Sequence, residues 1–149
     1  MKTLLRKLRA RRGNAIVELA LVLPIITGSA IFIADVGTAA YRNMTLKSAV
    51  RAGADYAVRY GDTSGIAAAV AAAANRDPGA ISVTTSQFCG CDTTTVTCGG
   101  TCTGGTTQQV YMTVSVSEPY SAMIRTNGVL GVNEDGTRTL QAQATFRLK

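Results

Sequence analysis

Histidine and tryptophan are absent from the 149 residues, and aromatic residues of any kind make up only 5%. The missing histidine removes the commonest general base, the usual zinc ligand and every histidine-dependent triad. No nucleophile paired with a base is evident in what remains, so the chain is not expected to be an enzyme. The shortage of aromatics means that a folded domain must find its stability in small apolar side chains or in covalent cross-links. Acidic residues are also few, nine against fifteen basic ones. That excess has a particular location: Lys2, Arg6, Lys7, Arg9, Arg11 and Arg12 carry it, and residues 14–149 hold nine charges of each sign. A nucleic-acid binder needs its surplus charge on the folded face that meets phosphate, so no nucleic-acid partner is expected.

What the sequence has in abundance is a long apolar run. Ala15 to Ala34 contains one charge, Glu18. Twenty helical residues at about 1.5 Å each span about 30 Å, the thickness of a hydrocarbon core. With the basic cluster ahead of it, this run is expected to keep the N-terminus in the cytoplasm and send the remainder across the membrane. A secretory signal peptide cut near Gly28-Ser29-Ala30 is the rival reading, although Ile31, Phe32, Ile33, Ala34 and Asp35 make an unsuitable exit. Small residues at Gly28, Ser29, Ala30 and Gly37 suit close helix contacts, and equally suit the ordinary composition of membrane helices.

The helical pattern continues beyond Asp35. Ala39, Leu46, Val50, Ala54 and Ala57 recur at helical spacing, with Arg42, Lys47, Arg51, Asp55 and Arg59 on other faces. One helix is predicted from about residue 14 to about residue 60, with Pro24 favouring a kink within it. A second, Ala-rich helix follows after Ser64, its candidate cap, and ends at Asp77-Pro78-Gly79. From there the pattern alternates. Ile81–Thr85, Val110–Val116 and Thr139–Leu148 read as strands, separated by turn-rich segments from Phe88 to Thr107 and from Asn127 to Gly136.

The expected fold class is therefore α+β: a long N-terminal transmembrane helix, a short Ala-rich helix, and a small antiparallel sheet of three or four strands with a Cys-rich loop. One sheet face should pack on the amphipathic half of the long helix. Four cysteines, Cys89, Cys91, Cys98 and Cys102, crowd into that loop. In an exported domain they are expected to form two disulfides, and the spacing is a poor match to zinc knuckles. A Cys89–Cys91 bond is disfavoured by ring strain; the two other connectivities remain open, each bridge worth about 2–3 kcal/mol. The scattered carboxylates Asp35, Asp55, Asp62 and Asp77 are read as solvated helix ends or turns. No metal and no cofactor is expected.

The residues around Gly13 are the most informative. The segment Arg11-Arg12-Gly13-Asn14-Ala15-Ile16-Val17-Glu18 ends a basic leader on glycine and sets a glutamate five residues beyond it. This resembles the processing site of type IV prepilins, and the continuation Val17-Glu18-Leu19-Ala20-Leu21-Val22-Leu23-Pro24 resembles the TadE family of minor pseudopilins in tight-adherence (Flp) pilus systems. The resemblance covers about residues 10–55. It implies a leader (1–13) cut between Gly13 and Asn14 by a prepilin peptidase, a transmembrane segment (14–34), an amphipathic extracytoplasmic stretch (35–60) and a small extracytoplasmic domain (61–149). It implies a structural part in pilus or secretion-system assembly, with other pilin subunits and the assembly platform as partners. Glu18 would then pair with the new amino group of Asn14, or with that of a neighbouring subunit. Snorkelling of Glu18 to the headgroups is the plainer alternative for that residue. The rival function is a singly anchored periplasmic binding or adhesion domain that never joins a filament.

Overall fold

A computed structural model describes residues 2–91, 94–124 and 132–148, with side chains from Ala15 onward. Helix α1 covers Lys2–Tyr60 and α2 covers Ile66–Ala74; the strands are β1 (Ser82–Cys91), β2 (Thr94–Val96), β3 (Gln109–Ser121) and β4 (Thr137–Arg147). The chain divides into two compact units, Met1–Thr38 and Ala39–Lys149. The expected α+β class, with its long apolar helix, short helix, antiparallel sheet and disulfide-bearing loop, is the architecture observed.

Helix α1 starts twelve residues earlier than the sequence pattern suggested, and it includes the basic segment ahead of Gly13. Leu, Lys, Arg and Ala fill residues 4–12, all strong helix formers, and nothing before Gly13 interrupts them. Pro24 lies within the same helix. From Ala15 to Ala34 the side chains are exposed on every face, including Ile16, Leu19, Leu21, Ile25 and Ile33. A helix that is apolar all round without a protein partner is suited to lipid, and this is the one helix among the described residues long and apolar enough to cross a membrane. Its hydroxyls are satisfied internally. Thr27 Oγ1 donates to the Leu23 carbonyl at 2.9 Å and Ser29 Oγ to that of Ile25 at 2.8 Å, which leaves no hydroxyl donor unpaired in an apolar medium.

In the second unit α1 becomes amphipathic. Ala39, Leu46, Ala49, Val50 and Ala57 are buried, together with Gly53. The glycine corrects the sequence reading, which placed Ala54 on this face: Ala54 is only half-buried. A Cβ on Gly53 would stand 2.5 Å from Val70 Cγ2 and 3.3 Å from Ile66 Cγ2, so its missing side chain sets the approach of α1 to α2. Between the helices, Tyr56 lies directly over Gly65, and its ring is 4.7 Å from that of Tyr60. Ser64 does not cap α2 through its side chain. Gly65 occupies the cap position, while Ser64 donates its N–H to Asp62 Oδ1 at 2.9 Å and its hydroxyl to Oδ2 at 2.6 Å. Those two bonds hold the Asp62 carboxyl below its ordinary pKa, the hydroxyl bond contributing most.

The sheet has the order β2-β1-β3-β4, antiparallel throughout. Its inner face presents Met112, Val114, Val116, Leu140 and Ala142 to the buried faces of α1 and α2, forming one core in the second unit. The outer face presents Thr84, Ser86, Thr113, Ser115, Gln141 and Gln143, and residues 112–117 of β3 and 139–146 of β4 alternate between apolar and neutral polar positions. Strand β1 is twice the expected length and takes in Cys89 and Cys91. The fourth strand, β2, follows from this extension, because Cys89 to Cys91 pair with Val96 to Thr94. Of the second turn-rich segment, residues 127–131 lie outside the described residues.

Candidate functional site

The predicted processing and assembly residues lie on the first helix. Gly13 and Asn14 fall within α1, but their side chains lie outside the described residues. Asn14 and Glu18 are four residues apart, which sets them on one helix face, one turn from each other. Glu18 is exposed, and among the described residues no group pairs with it. It is the sole charge on a surface otherwise made of Ile16, Val17, Leu19, Leu21 and Val22, all more than 40% exposed. A lone carboxylate in such surroundings is costly in lipid, at about 2.5–3.5 kcal/mol near the middle of the bilayer, and is therefore a strong acceptor for any cation that reaches it. Helix α1 also continues unbroken through Gly28-Ser29-Ala30.

The four cysteines form a second predicted group, which the structure resolves into Cys89–Cys98 and Cys91–Cys102, with Cα separations of 5.1 and 5.6 Å. Positions 89 and 91 share one face of β1, so the two bridges leave the strand side by side and hold the loop 97–107 against it. Gln108 completes the attachment. It accepts from Gly99 N and donates to the Thr97 carbonyl, both at 2.9 Å. Among the described residues no cluster of three metal-ligating side chains is present.

One site was missed by the sequence reading. Glu118 on β3 is 4% exposed, and its Oε1 accepts from Arg76 Nε at 2.9 Å and from Arg42 Nη1 at 3.2 Å. Each arginine arrives for a local reason. Asn75 adopts the left-handed conformation (φ 52°) that closes α2, with Arg76 N bonding back to Ala71 O, and this turn aims Arg76 at the sheet. Arg42 comes from α1, and its guanidinium stands 5.1 Å from the centre of the Tyr120 ring. The signal was present in the alternation of β3: Glu118 is in phase with Met112, Val114 and Val116, so a charge falls on the core side of a strand. The cluster joins α1, the end of α2 and the sheet. Its contacts are those of a structural clamp.

Two surface grooves lie on the second unit. One, of about 320 Å³, is lined by Ser82, Thr84, Ser115, Ser117, Gln141 and Gln143; the other, of about 390 Å³, lies beside Ala57, Asp62, Met112 and Leu148. Neither lining contains a hydroxyl paired with a base.

Comparison with known proteins bears on the first helix. Residues 13–55 match the family model described as TadE-like protein, a stretch that begins at Gly13 and contains Glu18 and Pro24. No curated protein and no solved structure matches the chain.

Proposed function

We propose that the protein is a TadE-like minor pseudopilin, a structural subunit in the assembly of a tight-adherence pilus or a related secretion system. The observation that carries this is the coincidence, inside the matched residues 13–55, of a glycine after six basic residues and a glutamate five positions on, in a helix clad in exposed apolar side chains. The match by itself points to association with a Tad pilus; the processing and the subunit role are the further steps of this reading.

In this reading the basic residues hold the Gly13–Asn14 bond at the cytoplasmic face of the inner membrane, where a prepilin peptidase cuts it. Glycine presents no side chain to obstruct the protease. Removal of residues 1–13 takes away six positive charges and leaves residues 14–34 as an apolar helix with a new amino group. That amine and Glu18, on this chain or between neighbours, are the charge pair that apolar surroundings strengthen. The second unit then lies on the extracytoplasmic side, where oxidising conditions keep both disulfides closed.

Mass spectrometry of the protein taken from its native membrane tests the reading. Loss of residues 1–13 is expected. An intact N-terminus, or a cut after Ala30, would overturn it.

A further inference from the structure

The two edges of the sheet are treated differently. At one edge β2 is three residues long, pairs only with Cys89–Cys91 of β1, and is tied down by the Cys89–Cys98 bridge, which begins on its neighbour and ends just beyond it. At the other, β4 runs for eleven residues in unbroken register with β3, from Tyr111↔Arg147 to Ser121↔Thr137, with no bulge and no proline. Proteins commonly protect an exposed edge of this length with such features, or with charges along it. Here there is no charge between Arg138 and Arg147.

The hydrogen-bond phase shows which groups this edge offers. Leu148 N bonds to Val110 O at 2.7 Å and Ala122 N to Gly136 O at 2.9 Å, so the even-numbered residues of β4 direct their main-chain groups at β3. The odd-numbered residues direct theirs away from the sheet. Thr137 is already satisfied, its carbonyl by Asn133 N and its N–H by Asp135 Oδ1. From Thr139 through Gln141, Gln143 and Thr145, all exposed, the edge is open among the described residues.

Those four residues read the same in either direction: Thr, Gln, Gln, Thr. We infer that β4 is the docking edge for a second copy of this chain, the two β4 strands running antiparallel about a two-fold axis at Ala142. In that register Thr139 faces Thr145 and Gln141 faces Gln143, the odd residues meeting as hydrogen-bonded pairs, as their phase requires. Ala142 meets Ala142, Leu140 meets Ala144, and Arg138 meets Phe146, so no like charges are opposed. The sheet already contains one such pair, since Thr113 Oγ1 and Thr145 Oγ1 stand 2.9 Å apart across β3 and β4. Half-buried Ala144 and Phe146, at the rim of the core, would gain cover from the partner. A contact about a two-fold axis is isologous and closes at two copies, giving one eight-stranded sheet.

The test uses full-length chains in membranes and a short bis-maleimide, which leaves the paired native cysteines untouched. Chains carrying Thr139→Cys or Thr145→Cys are treated singly and after co-expression. In the proposed register the two different positions face each other, whereas each position lies six residues, about 20 Å, from its own counterpart. Cross-linked dimer is expected only in the co-expressed sample. Adding Gln143→Pro to both chains should abolish it while Cys89–Cys98 and Cys91–Cys102 remain closed, because the lost N–H points away from β3. Equal cross-linking in the single-variant samples, none in the mixture, or cross-linking unchanged by Gln143→Pro would overturn the inference.

Discussion

Arg76 donates its Nε–H to Glu118 Oε1 at 2.9 Å, which joins the end of α2 to the third strand across 42 positions of sequence. Arg42 reaches the same oxygen from α1, so one buried carboxylate holds three elements. Glu118→Ala would leave two guanidinium groups facing an apolar core without their anion. Removing one partner from a buried pair costs about 3–5 kcal/mol, and the remaining exposure of both arginines, about a third, argues for the lower end. Urea unfolding of the full chain in detergent should show a loss of about 3 kcal/mol. Arg42→Ala should cost less than Arg76→Ala, since its bond is longer and its side chain more exposed. A loss below 1 kcal/mol for Glu118→Ala would show that the clamp contributes little.

Gly53→Ala sets two effects against each other. Alanine gains about 1 kcal/mol of helix propensity over glycine, whereas overpacking a filled core costs about 1–3 kcal/mol. The 2.5 Å approach to Val70 Cγ2 decides for overpacking, and net destabilisation of about 1 kcal/mol is expected. Adding Val70→Ala removes the obstructing methyl, so the effect of Gly53→Ala should shrink or reverse in that background. Gly28→Ala, which meets nothing within 4 Å, serves as the control and should be neutral or stabilising.

Both disulfides should resist alkylation until a reductant is added. Peptide mapping without reductant should recover Cys89 with Cys98 and Cys91 with Cys102. Recovery of Cys89 with Cys102, or of four freely reactive thiols, would contradict the structure. Each bridge closes a loop of about ten residues, for which about 2–3 kcal/mol of stabilisation is expected, and reduction should lower the unfolding midpoint accordingly.

Glu18→Gln separates processing from assembly. The substitution keeps the shape and removes the charge, so insertion of the helix should be at least as favourable and removal of residues 1–13 should largely survive. Co-purification with other pilus subunits, or the number of pili, should fall, because in the proposed function the Asn14 amine loses a charged partner in an apolar setting. Normal cleavage together with normal assembly would reduce Glu18 to a residue that reaches for the headgroups.

Patterns with a short period were readable from the sequence alone. A mostly apolar run of twenty residues behind a basic cluster, with Glu18 its one charge, specifies a membrane-suited helix without help from any other part of the chain, because lipid demands only length and a scarcity of charge. The alternation in residues 110–116 and 139–148 likewise specifies strands with one buried face, and four cysteines in fourteen residues, at a spacing poor for a zinc knuckle, point to cross-links. What required the tertiary structure was every choice between local near-equivalents. Gly53 and Ala54 are both small and adjacent, and only the position of Val70 selects the glycine as the inward residue. Two cysteine pairings were equally allowed by loop length; the extension of β1, which brings Cys89 opposite Val96 and within reach of Cys98, selects one of them. Glu118 could be seen to fall on the core side of β3, but its two partners lie 76 and 42 positions away, at a distance where no local pattern carries information. Local sequence determines which face of an element is buried, whereas the partner that meets it depends on how distant segments share one core.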